Sequence, residues 1–233
     1  DAVYVPKGAV WLDGSADYFT RTQKAGNRKT YTLSMWIKHS KLGSSQNLVS
    51  AGTSAVDWTQ IDSNDVINLG GIDGGAQALI STAVYRDPSA WMHFVLAVNT
   101  ADPIAADRVR VYINGRELTD FSTRTNPALD SESNTSNTVI QNLGNDSYDS
   151  SSSPYGGYMS EAIMLDGYAR PPSDFGTEDA NGVWIPKDPT VSVTAYKGSN
   201  GFWLDFADDT DLGNDVSYSG LSLGTDNSFT ATS

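Results

Sequence analysis

The sequence predicts an all-β domain, a sandwich or barrel, and three observations carry that prediction. Gly, Ser, Asn, Asp and Thr recur throughout the 233 residues and divide the chain into short β-rich runs at close spacing. No stretch sustains the 3.6-residue apolar period of a long amphipathic helix. The segment Arg108–Thr119 carries a strong hairpin signal: Val109, Val111 and Ile113 alternate, Asn114-Gly115 supplies the two positive-φ positions of a type I′ turn, and Arg116–Phe121 returns.

The elements follow in order. Val3–Leu12 reads as a strand. In Tyr31–Lys38, Tyr31, Leu33, Met35 and Ile37 share one face and Thr32, Ser34 and Lys38 the other. Trp36 interrupts the polar face, so that face is expected to be covered as well. Asn47–Ala51, Val66–Gly70 and Ala78–Thr82 are further strands. Trp91–Asn99 is apolar on both faces and belongs in the middle of a covered sheet. Residues 122–137 are polar and read as a long loop, Asn137–Gly144 as a strand, Asn145–Gly157 as a second long flexible loop, and Tyr158–Asp166 as a strand. Pro171–Phe175 reads as a short helical turn, because proline is tolerated in a first turn. Residues 1–180 thus form the sandwich. Residues 181–233 hold two short strands, Val183–Ile185 and Phe202–Phe206, and too few apolar positions for a core of their own, so this section is expected to pack back onto it.

Composition narrows the function. Apolar residues (39%) and aromatics (10%) suffice to fill a core between two sheets and exclude overall disorder. With 15 basic and 28 acidic residues the net charge is −13, which argues against non-specific nucleic-acid binding and against docking on anionic lipid. The absence of cysteine excludes disulfides and thiolate metal sites. No apolar run approaches the roughly 18 residues of a membrane span, so no membrane insertion is expected. No signal peptide is visible, and the start at Asp1 rather than Met suggests a processed form or a fragment.

Six segments then stand in a telling order: Ala9-Val-Trp-Leu-Asp-Gly-Ser-Ala-Asp-Tyr-Phe19, Tyr31-Thr-Leu-Ser-Met-Trp-Ile-Lys38, Asn47-Leu-Val-Ser-Ala-Gly52, Trp91-Met-His-Phe-Val-Leu-Ala97, Val109–Gly115, and Gly157-Tyr-Met-Ser-Glu-Ala-Ile-Met164 with Glu161 at the usual acidic position. Over residues 9–175 this resembles the laminin-G-like domains of the concanavalin A-like lectin/glucanase superfamily. The resemblance implies an all-β, two-sheet antiparallel jelly-roll sandwich. Ala25–Trp36, Ser173–Gly176, Gly182–Trp184 and Asn200–Phe206 further resemble domains of tailed-phage, especially marine-phage, structural proteins. That resemblance implies a head-fibre, tail-fibre or other virion-surface protein, other virion proteins as partners, and a homo-oligomer, although no heptad pattern marks a coiled-coil seam.

Catalytic glucanases of the superfamily carry Glu-x-Asp-x-x-Glu on one strand, so that alternate carboxylates share a face. The motif is missing: Glu132, Glu161 and Glu178 lack companions, and Asp166, five positions after Glu161, has the opposite strand parity. No catalytic residue is assigned, while carboxylates paired from distant strands stay open. His39 and His93 have no nucleophile signature nearby. His93 reads as structural beside Trp91, and His39 as solvated at a strand end. Gly70-Gly-Ile-Asp-Gly-Gly75 lacks the lysine and helix of a phosphate loop and reads as a turn. Asp205, Asp208, Asp209, Asp211, Asn214 and Asp215 do not fit an EF-hand. They read most simply as a solvated acidic loop, with a looser calcium site open. By resemblance, related sandwiches bind Ca²⁺ on one rim, where Asp57 with Asp62 or Asp65 is the candidate.

Sugar binding needs an aromatic platform with oxygen and amide groups around it. Trp58 lies beside Asp57 and Gln60 in a turn-like segment, and Tyr148 and Tyr155 lie with Asn145 in the Ser-rich loop. The simpler alternatives are a Trp58 packed on the sheet and tyrosines exposed without a ligand. The expected function is a non-catalytic module binding cell-surface or environmental glycans from a virion. The alternatives are a ligand-free capsid or tail decoration protein and, third, a polysaccharide hydrolase.

Overall fold

The structure, a computed structural model, describes residues 3–72, 78–219 and 226–233. Two antiparallel sheets stack face to face. The first runs β1 (Val10–Asp13), β13 (Gly156–Asp166), β3 (Thr30–His39), β8 (Met92–Asn99), β9 (Val109–Ile113), β10 (Arg116–Glu117). Its β16 (Phe202–Leu204) continues the β13 edge that β1 begins, β1 pairing with residues 156–159 and β16 with 162–164. The second runs β11 (Phe121–Thr125), β7 (Ala78–Val84), β6 (Val66–Gly70), β5 (Asp57–Ile61), β4 (Gln46–Ala51), β12 (Ile140–Leu143), β2 (Tyr18–Thr22), β17 (Thr230–Thr232). A small hairpin of β14 (Gly176–Glu178) and β15 (Trp184–Pro186), the short helices α1 (Thr190–Tyr196) and α2 (Val216–Ser219), and two 3-10 turns, Ala105–Asp107 and Pro172–Asp174, complete the described elements, the second turn where one was expected.

Period-two side chains build the core. Leu33, Met35, Ile37, Phe94 and Leu96 of the first sheet meet Phe19, Leu48, Ile67, Leu69 and Leu143 of the second. Each is buried, and each contributes roughly 1.5–3 kcal/mol. The first sheet is covered on its other face too. Val95, Ile163, Leu165 and Trp203 pack there under Phe175 and Val193. Trp36 and the two-faced strand at 92–99 forecast that second layer.

Other expectations shift. β1 begins at Val10; residues 3–9 run instead as an irregular strap. Asn114 (φ 49°) and Gly115 (φ 78°) make the expected turn, but the return stops at Glu117. The chain then crosses to the second sheet, where Phe121–Thr125 pairs with β7 inside the stretch read as a loop. Four of its five residues are exposed, so no alternation betrays the strand. Asp57–Ile61 is likewise a strand rather than a turn. Asp57, Thr59 and Ile61 face inward and Trp58 and Gln60 outward, and the polar inner residues hide the pattern. Of the Gly70–Gly75 run, Gly70 closes β6, while Asp73–Gly75 lie outside the described residues. His39 is buried, not solvated, and burial lowers its pKa.

The section from 181 onward gives β16 to the first sheet and β17 to the second. Buried polar groups anchor it. The Arg21 guanidinium lies 4.6 and 4.7 Å from the Phe202 and Phe229 ring centroids and donates to the carbonyls of Asn200 (2.9 Å) and Asn227 (3.1 Å). Burial pulls its pKa down to about 9. Lys197 and Asp215, both buried, pair at 3.2 Å. Breaking such a pair by removing one partner leaves an uncompensated buried charge.

Candidate functional site

The outer face of the first sheet gathers indoles. Trp11, Trp36, Trp91, Trp184 and Trp203 stand on this side, and Trp58 alone belongs to the other sheet. Strand parity places the first three: Val10, Leu12, Met35, Ile37 and Met92 point into the core, so the residues beside them point out. Trp36 stacks on His93 (4.7 Å, 13°), and His93 stacks on Trp184 (6.0 Å, 18°). Trp184 Nε1 donates to His93 Nδ1 at 2.9 Å. Nδ1 is therefore the acceptor, and Nε2 carries the proton that meets Ser34 Oγ, also at 2.9 Å. Burial pushes the His93 pKa down to about 3, so the ring is a neutral spacer between two indoles. Gly115 is required twice, by its positive φ and by Trp184, whose ring would lie 2.5 Å from any Cβ there.

Between these rings and the N-terminal strap lies a cleft of about 520 Å³. Trp36, Trp91, Trp184 and Ser160 line it with Pro6, Gly8, Ala9, Val183 and Pro186. Three contacts hold the strap down. Ser160 Oγ donates to the Gly8 carbonyl (2.6 Å), the Tyr4 hydroxyl donates to Glu161 Oε1 (3.0 Å), and Lys7 pairs with Asp205 (3.3 Å). Glu161 sits on a β13 bulge with φ 49°, and its second oxygen accepts from Trp203 Nε1 at 2.7 Å. Burial raises its pKa to about 7 against the opposing pull of those two donors. The carboxyl read as family-typical is thus engaged in holding the strap to the sheet. Outside the cleft, Trp91 (39% exposed), Tyr158 (41%) and Trp11 (46%) continue as a row, with ring centroids 6.2 and 4.8 Å apart.

The residues singled out from the sequence lie on or under the second sheet. Trp58 and Gln60 face outward from β5; the Trp58 ring packs on Gly70, and Nε1 donates to Asn68 Oδ1 at 3.3 Å. The loop from Asn145 folds over the same face. Ser50, paired with Trp58, donates to the Asn145 carbonyl (2.8 Å), and Asn47, paired with Gln60, donates to Asp146 (3.2 Å). Trp58, Gln60 and that loop are therefore neighbours, and Tyr148 is 68% exposed. The other three do not face solution. Asp57 points inward and accepts from Ser133 Oγ and the amides of Asn134 and Thr135; burial raises its pKa to about 6. Asn145 is buried, its Nδ2 donating to Ser150 O (2.6 Å) and its Oδ1 accepting from Asp146 N (2.8 Å). Tyr155 is a core residue rather than a loop platform, with its hydroxyl on the Tyr158 carbonyl. The cavity of about 10 Å³ that Trp58 borders lies between the sheets, among Tyr31, Leu33 and Leu96, and holds a water at most.

The carboxylates proposed for calcium are separately engaged: Asp62 with Asn64 N, and Asp65 with Gly43 N and Arg86. In the acidic stretch, Asp205 meets Lys7, Asp208 caps Thr210 and Asp215 meets Lys197. Among the described residues no three His, Asp or Glu side chains gather at metal-binding range.

Sequence reasoning missed the tryptophan cleft. Its available signals were Trp36 and Trp91, both at outward parity on strands, and an indole in Val183–Ile185 with no local apolar partner.

Residues 13–171 match the family described as "Concanavalin A-like lectin/glucanases superfamily". Among solved structures, a candidate carbohydrate-binding protein from Bacteroides ovatus is similar over 98% of this chain and 58% of its own, with 15% identity and a TM-score of 0.63. The chain thus spans little more than half the length of that protein. A heptameric SAP-like pentraxin from Limulus polyphemus is similar over 72% of this chain and 80% of its own, with 15% identity and a TM-score of 0.50. No curated protein matches. At these identities the structural likenesses speak for the fold. Two stacked antiparallel sheets with this strand order, and a family match over most of the chain, lead to one statement: the chain belongs to the concanavalin A-like lectin/glucanases superfamily, within its laminin-G-like branch.

Proposed function

We propose that the chain is a non-catalytic glycan-binding module that takes sugar in the tryptophan-lined cleft. One observation carries this reading: three indoles, a serine hydroxyl and the backbone of the strap converge on a space of about 520 Å³, large enough for a sugar ring. Indole faces stack on the C–H faces of sugars, and the hydroxyl and backbone groups orient the ligand. Catalysis is not part of the reading, because Glu161, next in sequence to the cleft-lining Ser160, accepts from Trp203 and Tyr4. The candidate carbohydrate-binding protein from Bacteroides ovatus lends support by its description. The phage-like phrases at Ala25–Trp36 and Asn200–Phe206 support display on a virion, where many copies raise weak affinity to useful avidity. Detection of the chain in purified virions tests that part.

A glycan array probed with purified protein tests the site. Trp91→Ala is expected to weaken binding about tenfold or more, with Trp58→Ala and Tyr148→Ala unchanged. Loss in the latter two alone moves the site to the second sheet. No glycan bound by the unsubstituted protein defeats the proposal.

A further inference from the structure

One cation shares the face that carries the exposed aromatic row. Trp11 of β1 pairs with Tyr158 of β13, and Tyr158 pairs with Lys38 of β3. The β3–β8 register, in which Ile37 meets Met92, carries Lys38 opposite Trp91. All four residues have outward parity, since Leu12, Met159, Ile37 and Met92 next to them are in the core. The outer face therefore presents Trp11, Tyr158, Lys38 and Trp91 in order across four neighbouring strands.

Lys38 differs from every other lysine of the chain. Lys7, Lys29 and Lys197 pair with carboxylates, and Lys24, Lys41 and Lys187 donate to backbone carbonyls. Lys38 is half-buried, and among the described residues its ammonium has no such partner. In a protein with 28 acidic side chains and a net charge of −13, a cation without such a partner, on the strand between those of Tyr158 and Trp91, is a distinctive arrangement. Its half-burial keeps part of the solvent away and so strengthens a charge-assisted hydrogen bond formed there. Lysine is a point charge without the planar fork of arginine, so it selects negative charge rather than one anion's geometry.

We propose that this row is a subsite for an anionic sugar, one bearing a carboxylate or a sulfate, with Lys38 meeting the charge and Trp11, Tyr158 and Trp91 stacking on the rings. The inference rests on the cleft reading, because Trp91 borders both.

Matched ligand pairs test it by titration: oligogalacturonate against its methyl ester, and sulfated against desulfated oligogalactan. At low salt at least one charged member is expected to bind about tenfold tighter than its neutral counterpart, with the gap closing as salt rises. The pair that shows the gap distinguishes carboxylate from sulfate. Lys38→Met is expected to remove the gap and keep the neutral affinity; Lys38→Arg is expected to keep the gap. Equal affinity within both pairs, or a gap that survives Lys38→Met, overturns this inference and leaves the cleft reading standing when neutral ligands bind. Binding of no member overturns this inference, and the cleft reading falls with it only if the glycan array is empty as well.

Discussion

The outer faces of the two sheets have the same pleat and opposite chemistry. On the first, Val95, Ile163, Leu165 and Trp203 are sealed by Phe175 and Val193, contributed from beyond residue 171. On the second, Asn47, Ser50 and Asn142 are covered by the 145–153 loop through hydrogen bonds to Asn145 and Asp146. Apolar covering tolerates an incomplete fit: where the strap and the β14–β15 hairpin fail to close over the indoles, a cleft remains. Polar covering must satisfy directional groups one by one. Here it leaves Asn47 Oδ1, Asn142 Oδ1 and Ser147 Oγ without partners among the described residues. The difference supports the proposal that recognition takes place on the first sheet.

The largest expected effect separates the two coverings. Trp203→Ala removes a buried indole from the apolar layer and takes one donor from Glu161, at a cost of about 3–5 kcal/mol. Trp58→Ala, on the polar face and half-buried, should cost about 1 kcal/mol. Denaturant unfolding of both variants measures the contrast, and similar losses would erase it.

The next effect depends on pH. Glu161 has a folded pKa of about 7, above the ordinary glutamate value of 4.5, because it is buried under the strap. Native protein therefore binds the proton more tightly than unfolded protein. The resulting stability is full below pH 4.5 and is lost as pH rises through 7, about 3 kcal/mol in all. Asp57, raised to about 6 by its own burial, acts in the same direction. Glu161→Gln should remove the Glu161 share, leaving the slope of Asp57. An unchanged pH profile between 4.5 and 8 in that variant would place the carboxyl in a solvated setting instead.

The same contrast shows what the sequence discloses. The Tyr31–Ile37 alternation and the Asn114-Gly115 turn are local, and both appear where expected. Trp36 points to a covered face, because an indole among the polar positions of an antiparallel strand gains by being buried. What covers it was not legible: Trp184 reaches His93 across 91 residues, and no local pattern encodes that approach. Around Tyr155 the turn formers Ser153, Pro154, Gly156 and Gly157 read as loop, yet its ring is in the core. Asp57 looked like a loop acid because its three donors come from Ser133, Asn134 and Thr135, more than seventy residues away.

The smallest effect tests the polar covering itself. Ser50 Oγ donates to the Asn145 carbonyl at 2.8 Å, and both residues are buried. Ser50→Ala deletes that donor and leaves a buried carbonyl unsatisfied, which costs about 1–2 kcal/mol. The loss should be local. Amides of residues 145–153 should exchange faster with solvent, while those of β3 and β8 in the first sheet keep their protection. Because the Trp91 cleft lies on the opposite face of the sandwich, glycan affinity should not change. If Ser50→Ala instead weakens glycan binding as strongly as Trp91→Ala, the loop beside Trp58 takes part in recognition, and the division between an apolar binding face and a polar structural face no longer holds.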